Sequence, residues 1–256
     1  MAEQVAAALR ERILHADLRN GSLLPKQDEL VAEFGVSYPS VREALRILET
    51  EGLITIRRGN VGGAEVHAPN ATTAGYALGL ALQAMRVSVA DLGEALADLE
   101  PMTAARCARR SDRKEKIVPV LRELVAATEE HINDDVQFTQ VSREFHEALM
   151  TYNGNETLRL AVGSLSSLWS AQEEAWAESL ASEGHYPSTR GRREVIRAHR
   201  RITDAIEAGD PAEAERLARV HVCATQRLVV SEVKDAVVEA GSAKAKSRLR
   251  ALSERR

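Results

Sequence analysis

The sequence predicts a mainly α-helical protein of two domains: a small N-terminal unit of three helices and a β-hairpin, then a larger all-helical bundle. Three observations carry this reading. Residues 1–67 end in a short apolar run punctuated by glycines, which suits a two-stranded hairpin. From about residue 76 onward, apolar residues recur every three to four positions between cap and stop signals, and no stretch reads as a strand. The composition is 44% hydrophobic, 28% charged and only 4% aromatic, dominated by Ala, Leu and Arg. At 256 residues that favours helices and is enough for two packed domains.

Residues 3–16 place Val5, Leu9 and Ile13 on one helical face, and residues 27–34 form a second helix after Pro25. Before the third helix, Ser37 or Tyr38 takes the cap position, and Pro39 falls in the first turn, where its missing N–H costs nothing. That helix, residues 40–51, has an apolar stripe of Val41, Ala44, Leu45 and Leu48, with Arg42 and Arg46 four apart on another face. Gly52 stops it. Residues 53–56 read as a strand, and Gly59, Gly62 and Gly63 allow a turn before a second strand at 64–67.

A helix with two arginines and a polar cap, followed by a β-wing with Arg57 and Arg58 at its base, is what reading a DNA major groove requires. Residues 1–67 therefore read as a winged helix-turn-helix DNA-binding domain. Its candidate contacts are Lys26, Ser37, Tyr38, Ser40, Arg42, Arg46 and Arg58, with Gly62 and Gly63 at the wing tip. On an isolated helix Arg42 and Arg46 would read as a solvated face; the surrounding pattern gives them a target. Net charge works against the assignment. The chain totals −4, and residues 1–67 hold 8 Lys/Arg against 10 Asp/Glu. Bulk attraction to phosphate is thus excluded, and affinity has to come from local placement of charge and from dimerisation on a short palindrome of double-stranded DNA.

Residues 68–75 are small and turn-prone and read as a linker, and residues 76–239 as an all-α effector-binding and dimerisation domain. A short helix spans about 76–85. Ser88 to Asp91 gives a capping-box-like start to a helix reaching about 110. Asp112 opens the next helix, with Pro119 either kinking it or marking its true start. Helices at 136–152, at 156–180 (with Trp169 and Trp176) and at 190–208 follow, a loop at 182–189 separating the last two. Gly209, Asp210 and Pro211 punctuate before a final helix to about 238. The tail, 240–256, is basic and apolar-poor, which reads as a flexible terminus or as an auxiliary phosphate-binding arm. No apolar run reaches the roughly 20 residues of a membrane span, and no leader peptide is recognisable. Cys107 and Cys223 lack metal-type spacing and read as reduced thiols, so a cytoplasmic protein is expected.

Three histidines on three helices carry the chemistry of the bundle. His146 lies one turn after Ser142; His199 shares a stripe with Val195, Ile196, Ile202 and Ile206; His221 shares one with Leu217, Ala224 and Leu228. A single such histidine is usually a core residue with one hydrogen bond. Three facing inward on separate helices can converge, and neutral imidazoles suit a divalent transition metal.

Over about 40 residues the head closely resembles the GntR family of bacterial regulators. The resemblance is carried by Leu24-Pro25, Leu30-Val31-Ala32, Gly35-Val36-Ser37, Pro39, Val41-Arg42-Glu43-Ala44-Leu45, Leu48-Glu49, Glu51-Gly52-Leu53 and Arg58-Gly59. Asp28 and Tyr38 stand where that family usually has arginines, which implies an operator other than the commonest one. Phe145-His146-Glu147-Ala148-Leu149, Gly154-Asn155, and the stretch around His199 to Glu215 with His221 resemble the helical effector (FCD) domain of the FadR-type branch. The resemblance implies a ligand-responsive, homodimeric transcriptional regulator, a repressor released by a small organic or fatty acid-type effector, and not an enzyme. It also implies a divalent metal, zinc or nickel, at His146, His199 and His221.

Two departures qualify that site. Ser142 replaces an implied aspartate ligand, which weakens metal retention while leaving more charge to attract an anion. Leu96 replaces an implied arginine that would clamp a carboxylate, adding apolar wall to the effector pocket. The rival readings are a constitutive DNA-binding protein without a small-molecule site, and a three-histidine hydrolase. The second leaves residues 36–66 unexplained.

Overall fold

The computed structural model describes residues 1–15, 21–57, 63–67, 69–181, 188–233 and 236–241. Arg58, Gly62, residues 182–187 of the expected loop and the basic tail beyond 241 lie outside the described residues. By its internal contacts the chain divides into two units, Met1–Thr73 and Ala74–Arg256.

In the first unit α1 (Ala2–Leu14), α2 (Gln27–Phe34) and α3 (Tyr38–Thr50) precede β1 (Ile54–Arg57) and β2 (Gly63–Val66). Val5, Leu9 and Ile13 of α1 share a core with Val41, Ala44, Leu45 and Leu48 of α3 and with Leu30 of α2. Between α2 and α3 the chain turns at Gly35, whose φ of 63° is left-handed, and its N–H closes on the Val31 carbonyl at 3.0 Å. The strands pair antiparallel, Ile54 opposite Val66 and Arg57 opposite Gly63. Glu49 reaches from α3 to accept the Ile56 N–H at 3.0 Å, tying the hairpin to the helix.

Two expectations for this unit need correction. Helix α3 starts at Tyr38, two residues earlier than expected; Ser37, one of the two expected cap residues, takes the cap position, but its hydroxyl meets Ser40 Oγ at 3.1 Å and caps no backbone N–H. Gly63 opens β2 opposite Arg57, so it belongs to the ladder and not to the wing tip.

The second unit contains most of α4 (Ala71–Ala84), α5 (Val89–Arg109), the single turn α6 (Arg113–Lys116), α7 (Val118–Glu130), α8 (Asp135–Tyr152), α9 (Glu156–Ala181), α10 (Thr189–Ala208) and α11 (Pro211–Val233). The expected linker is only partly a linker, because 71–75 are the first turn of α4. Asn70 Oδ1 accepts the Thr73 N–H at 3.0 Å and starts the helix there. Gly75 then lets α4 lie against α9: a Cβ at that position would come within 2.8 Å of the Ser164 carbonyl oxygen. Ser88 Oγ caps α5 through the Asp91 N–H at 3.2 Å, and Asp210 caps α11 through the Glu213 N–H at 3.0 Å. Pro119 sits in the first turn of α7, so it marks a helix start and not a kink.

The final helix is shorter than expected. It ends at Val233, and the chain from Ala236 runs alongside the start of α5, with Val89 N–H to Ala236 O at 2.8 Å and Val238 N–H to Val87 O at 2.9 Å. Val237 bridges Ser88, a pairing that the helical reading of the whole domain omitted. Fully burying Val238 in the cluster of Leu92, Leu96 and Trp169 outweighs another turn of helix. Among the described residues no helix is long and apolar enough to cross a membrane.

Candidate metal centre and nucleic-acid interface

Helices α8, α10 and α11 each deliver one histidine to a common point. The Nε2 atoms of His146, His199 and His221 form a triangle: 3.0 Å between His199 and His221, and 3.3 Å from His146 to each of the others. A tetrahedral ion bound at about 2.0–2.1 Å holds its ligand nitrogens about 3.3 Å apart, so the three imidazoles fit one divalent ion. Phe145 lies flat on the His199 ring, centroids 3.9 Å apart and 7° from parallel, and fixes its plane. His199 Nδ1 is buried and has no hydrogen-bond partner among the described residues. An ion on Nε2 would put the proton on that nitrogen without an acceptor, which tempers the site's affinity.

Sequence reasoning missed Glu100. This buried carboxylate on α5 accepts a hydrogen bond from Nδ1 of His146. Its place on the helix is supported at Pro101, which lacks the N–H that would have met the Ala97 carbonyl. Arg219 of α11 fills that gap, donating to Ala97 O at 3.0 Å and to Asp98 Oδ1 at 2.9 Å. The one signal in the sequence was an acid on the buried face of an amphipathic helix, two residues beyond Asp98.

The three imidazoles differ electrostatically. Burial opposes protonation of His146, but the charge of Glu100 and its hydrogen bond outweigh it and move this imidazole above its ordinary value. Burial first, then the neighbouring rings, hold His199 well below the ordinary value, and burial with His146 pushes His221 down to about 3. His199 and His221 are therefore neutral ligands at pH 7.

His146 and His221 form part of the wall of a cavity of about 610 Å³, and His199 is fully buried against them. Leu96 and Ser142 both line it, so the two positions that depart from the family pattern face the same space as His146 and His221. The apolar wall includes Phe138, Trp169 and Leu217, and hydroxyls from Ser166, Ser170 and Thr225 share it. A metal with an open position beside such a wall can take the carboxylate of an acid whose remainder is largely apolar. Cys107, whose thiol donates to the Leu149 carbonyl at 3.4 Å, is pushed up to about 12 by burial and takes no part.

In the first unit Arg42 and Arg46 lie exposed on α3, opposite the stripe that faces α1. Among the described residues Arg46 is ion-paired with Glu43 alone, at 3.6 Å with both side chains mostly in solvent, a contact that holds it weakly. Lys26, Ser37 and Tyr38 are exposed and Ser40 half-buried, at the starts of α2 and α3. The two residues that replace family arginines are partners: Asp28 raises the Tyr38 phenol above its ordinary value, chiefly through a hydrogen bond. Arg57, expected to add charge at the wing base, is instead paired with Glu65 at 2.5 Å.

Comparison with known proteins agrees with this geometry. Residues 1–62 match the model of bacterial regulatory proteins of the gntR family, and residues 91–224 match the FCD domain. The HTH-type transcriptional repressor NanR of Klebsiella aerogenes is 30% identical over 243 residues, covering 92% of this chain and 89% of that protein. Its counterpart in Cronobacter sakazakii is 27% identical over 87% of this chain and 82% of its own length. Among solved structures, a GntR protein of Streptococcus agalactiae shares the fold, with a TM-score of 0.64, 24% identity and coverage of 89% of this chain and all of the other. With a gntR head, an FCD body and a relative at this identity along nearly its whole length, the chain belongs to the gntR family of bacterial transcriptional regulators and is not an enzyme.

Proposed function

We propose that the chain is a homodimeric repressor whose grip on a short palindromic operator is released by an organic acid bound at a divalent metal held by His146, His199 and His221. The observation that carries this reading is the meeting of three imidazole Nε2 atoms within 3.3 Å of one another, two of the three rings lining a large cavity. In this reading Arg42 and Arg46 read bases, and Lys26, Ser37, Tyr38 and Ser40 contact phosphates or base edges nearby. One recognition helix spans only a few base pairs, and a head with more acids than bases needs a second copy to bind tightly. The uncharged helix α4 supports a second copy, because it leaves Tyr76 and Leu80 exposed, with Met85 just beyond its end, as apolar surface that a partner would cover.

Zinc or nickel fits the all-nitrogen donor set. The effector is an acid whose carboxylate completes the metal shell and whose body lies against Leu96, Phe138 and Trp169. Binding it would shift the helices that carry the histidines and so alter the spacing of the two heads. The test uses an operator selected from random duplexes by the metal-loaded protein. Release of that duplex by a medium-chain or aromatic carboxylic acid, lost on chelation and in His199→Ala, supports the reading. Binding indifferent to acids and to chelation leaves a constitutive DNA-binding protein.

A further inference from the structure

Three neutral imidazoles leave a bound divalent ion with its full charge of two, and Ser142 offers a hydroxyl where the family pattern implies an aspartate. A buried carboxylate nevertheless stands next to the triad. Glu100 is 8% exposed and its Oε1 accepts from Nδ1 of His146. We propose that Glu100 is a positioning residue that returns the missing negative charge to the metal centre from a different helix, acting on the ion through the His146 ring.

The chemistry is specific. With its Nδ1 proton held by a carboxylate, the neutral His146 ring presents the Nε2 lone pair toward His199 and His221; the other tautomer would direct a proton there. The carboxylate also makes the ring a stronger donor, and it lowers the net charge of the assembled centre by one, as an aspartate ligand would. Glu100 is committed to the interior: Pro101 follows it, and Arg219 on α11 occupies the carbonyl that Pro101 leaves free. Ser142 lies one helical turn before His146 and lines the same cavity, so an aspartate placed there would face the same centre.

This inference rests on the metal reading, and the experiment separates the two. Full-length protein is stripped with a chelator and titrated with zinc against a chromogenic competitor, and separately with cobalt(II), whose visible absorption reports the coordination geometry. The set comprises the native chain, Glu100→Gln, Ser142→Asp, the Glu100→Gln/Ser142→Asp double variant, and Glu147→Gln, which removes an exposed acid beside His146. Glu100→Gln is expected to weaken zinc binding about 10–100-fold and to change the cobalt spectrum, whereas Glu147→Gln leaves both unchanged. The gain in zinc affinity from Ser142→Asp should be larger in the Glu100→Gln background than in the native chain, because the two carboxylates supply the same charge, whereas a merely structural role for Glu100 would leave the two gains equal. Zinc affinity of Glu100→Gln equal to that of the native chain overturns the proposal, as does a gain from Ser142→Asp that is the same in both backgrounds. A native chain that takes up no zinc in excess overturns the metal reading itself, and this inference with it.

Discussion

The Nε2 atoms of His199 and His221 lie 3.0 Å apart where neither residue is more than 5% exposed. Both rings are neutral in the folded chain, yet each would take up a proton near pH 6.5 once unfolded. The unfolded state then binds more protons than the folded one, so stability is lost as the pH falls from about 6.5 toward the folded-state values. Each ring costs about 1.4 kcal/mol per pH unit over that range. His146 works in the opposite sense: its folded-state value is raised, so its contribution is full below about 6.5 and fades as the pH rises through that raised value. Two rings outweigh one. Chelator-treated protein should therefore melt at a lower temperature at pH 5 than at pH 7, and His199→Phe should flatten the difference. A melting temperature that holds or rises toward pH 5 would contradict the assignment.

Arg42 is exposed and its helix is held by the opposite face, so Arg42→Ala should leave the circular dichroism spectrum and melting temperature nearly unchanged. Its loss should remove about 1–3 kcal/mol of discrimination between operator and random duplex. Undiminished selectivity in a fluorescence anisotropy titration would remove Arg42 from the reading face.

The Tyr38 and Asp28 pair makes a second, electrostatic prediction for the head. Replacing both with arginine should steepen the dependence of log affinity on log salt by up to about 2 per head, as two more phosphates are engaged. An unchanged salt slope would place the pair away from the DNA backbone.

Gly75 tests how α4 is seated. A Cβ there would meet the Ser164 backbone at 2.8 Å, so Gly75→Val should destabilise the bundle by about 1–3 kcal/mol in urea denaturation. Unchanged stability would mean that α4 does not pack on α9 as described.

Local patterns carried most of the fold into the sequence. The stripe of Val41, Ala44, Leu45 and Leu48, and the caps at Ser88 and Asp210, depend on residues within one or two turns and were readable directly. The features that were not readable depend on distant partners. Residues 71–75 look like a linker by composition, and the Asn70 cap and the seat of Gly75 against α9 accompany their helical form. Val237 favours an extended chain because the start of α5 offers a backbone to pair with. At the site, the inward positions of His146, His199 and His221 followed from periodicity, but the role of Glu100 depends on two helices meeting across 46 residues of sequence. Asp28 and Tyr38 were visible as departures from the family pattern, and their pairing needed the turn at Gly35.

The central claim is that three histidines hold one metal ion, and metal content measured on the full-length chain tests it most directly. The protein would be dialysed against zinc, freed of loosely bound ion and measured by inductively coupled plasma mass spectrometry beside His199→Ala. The triangle of Nε2 atoms predicts one zinc per native chain, removable by chelator, and none in the variant. A native chain that carries no zinc after dialysis against excess would contradict the claim and leave the histidines as hydrogen-bond partners of the effector.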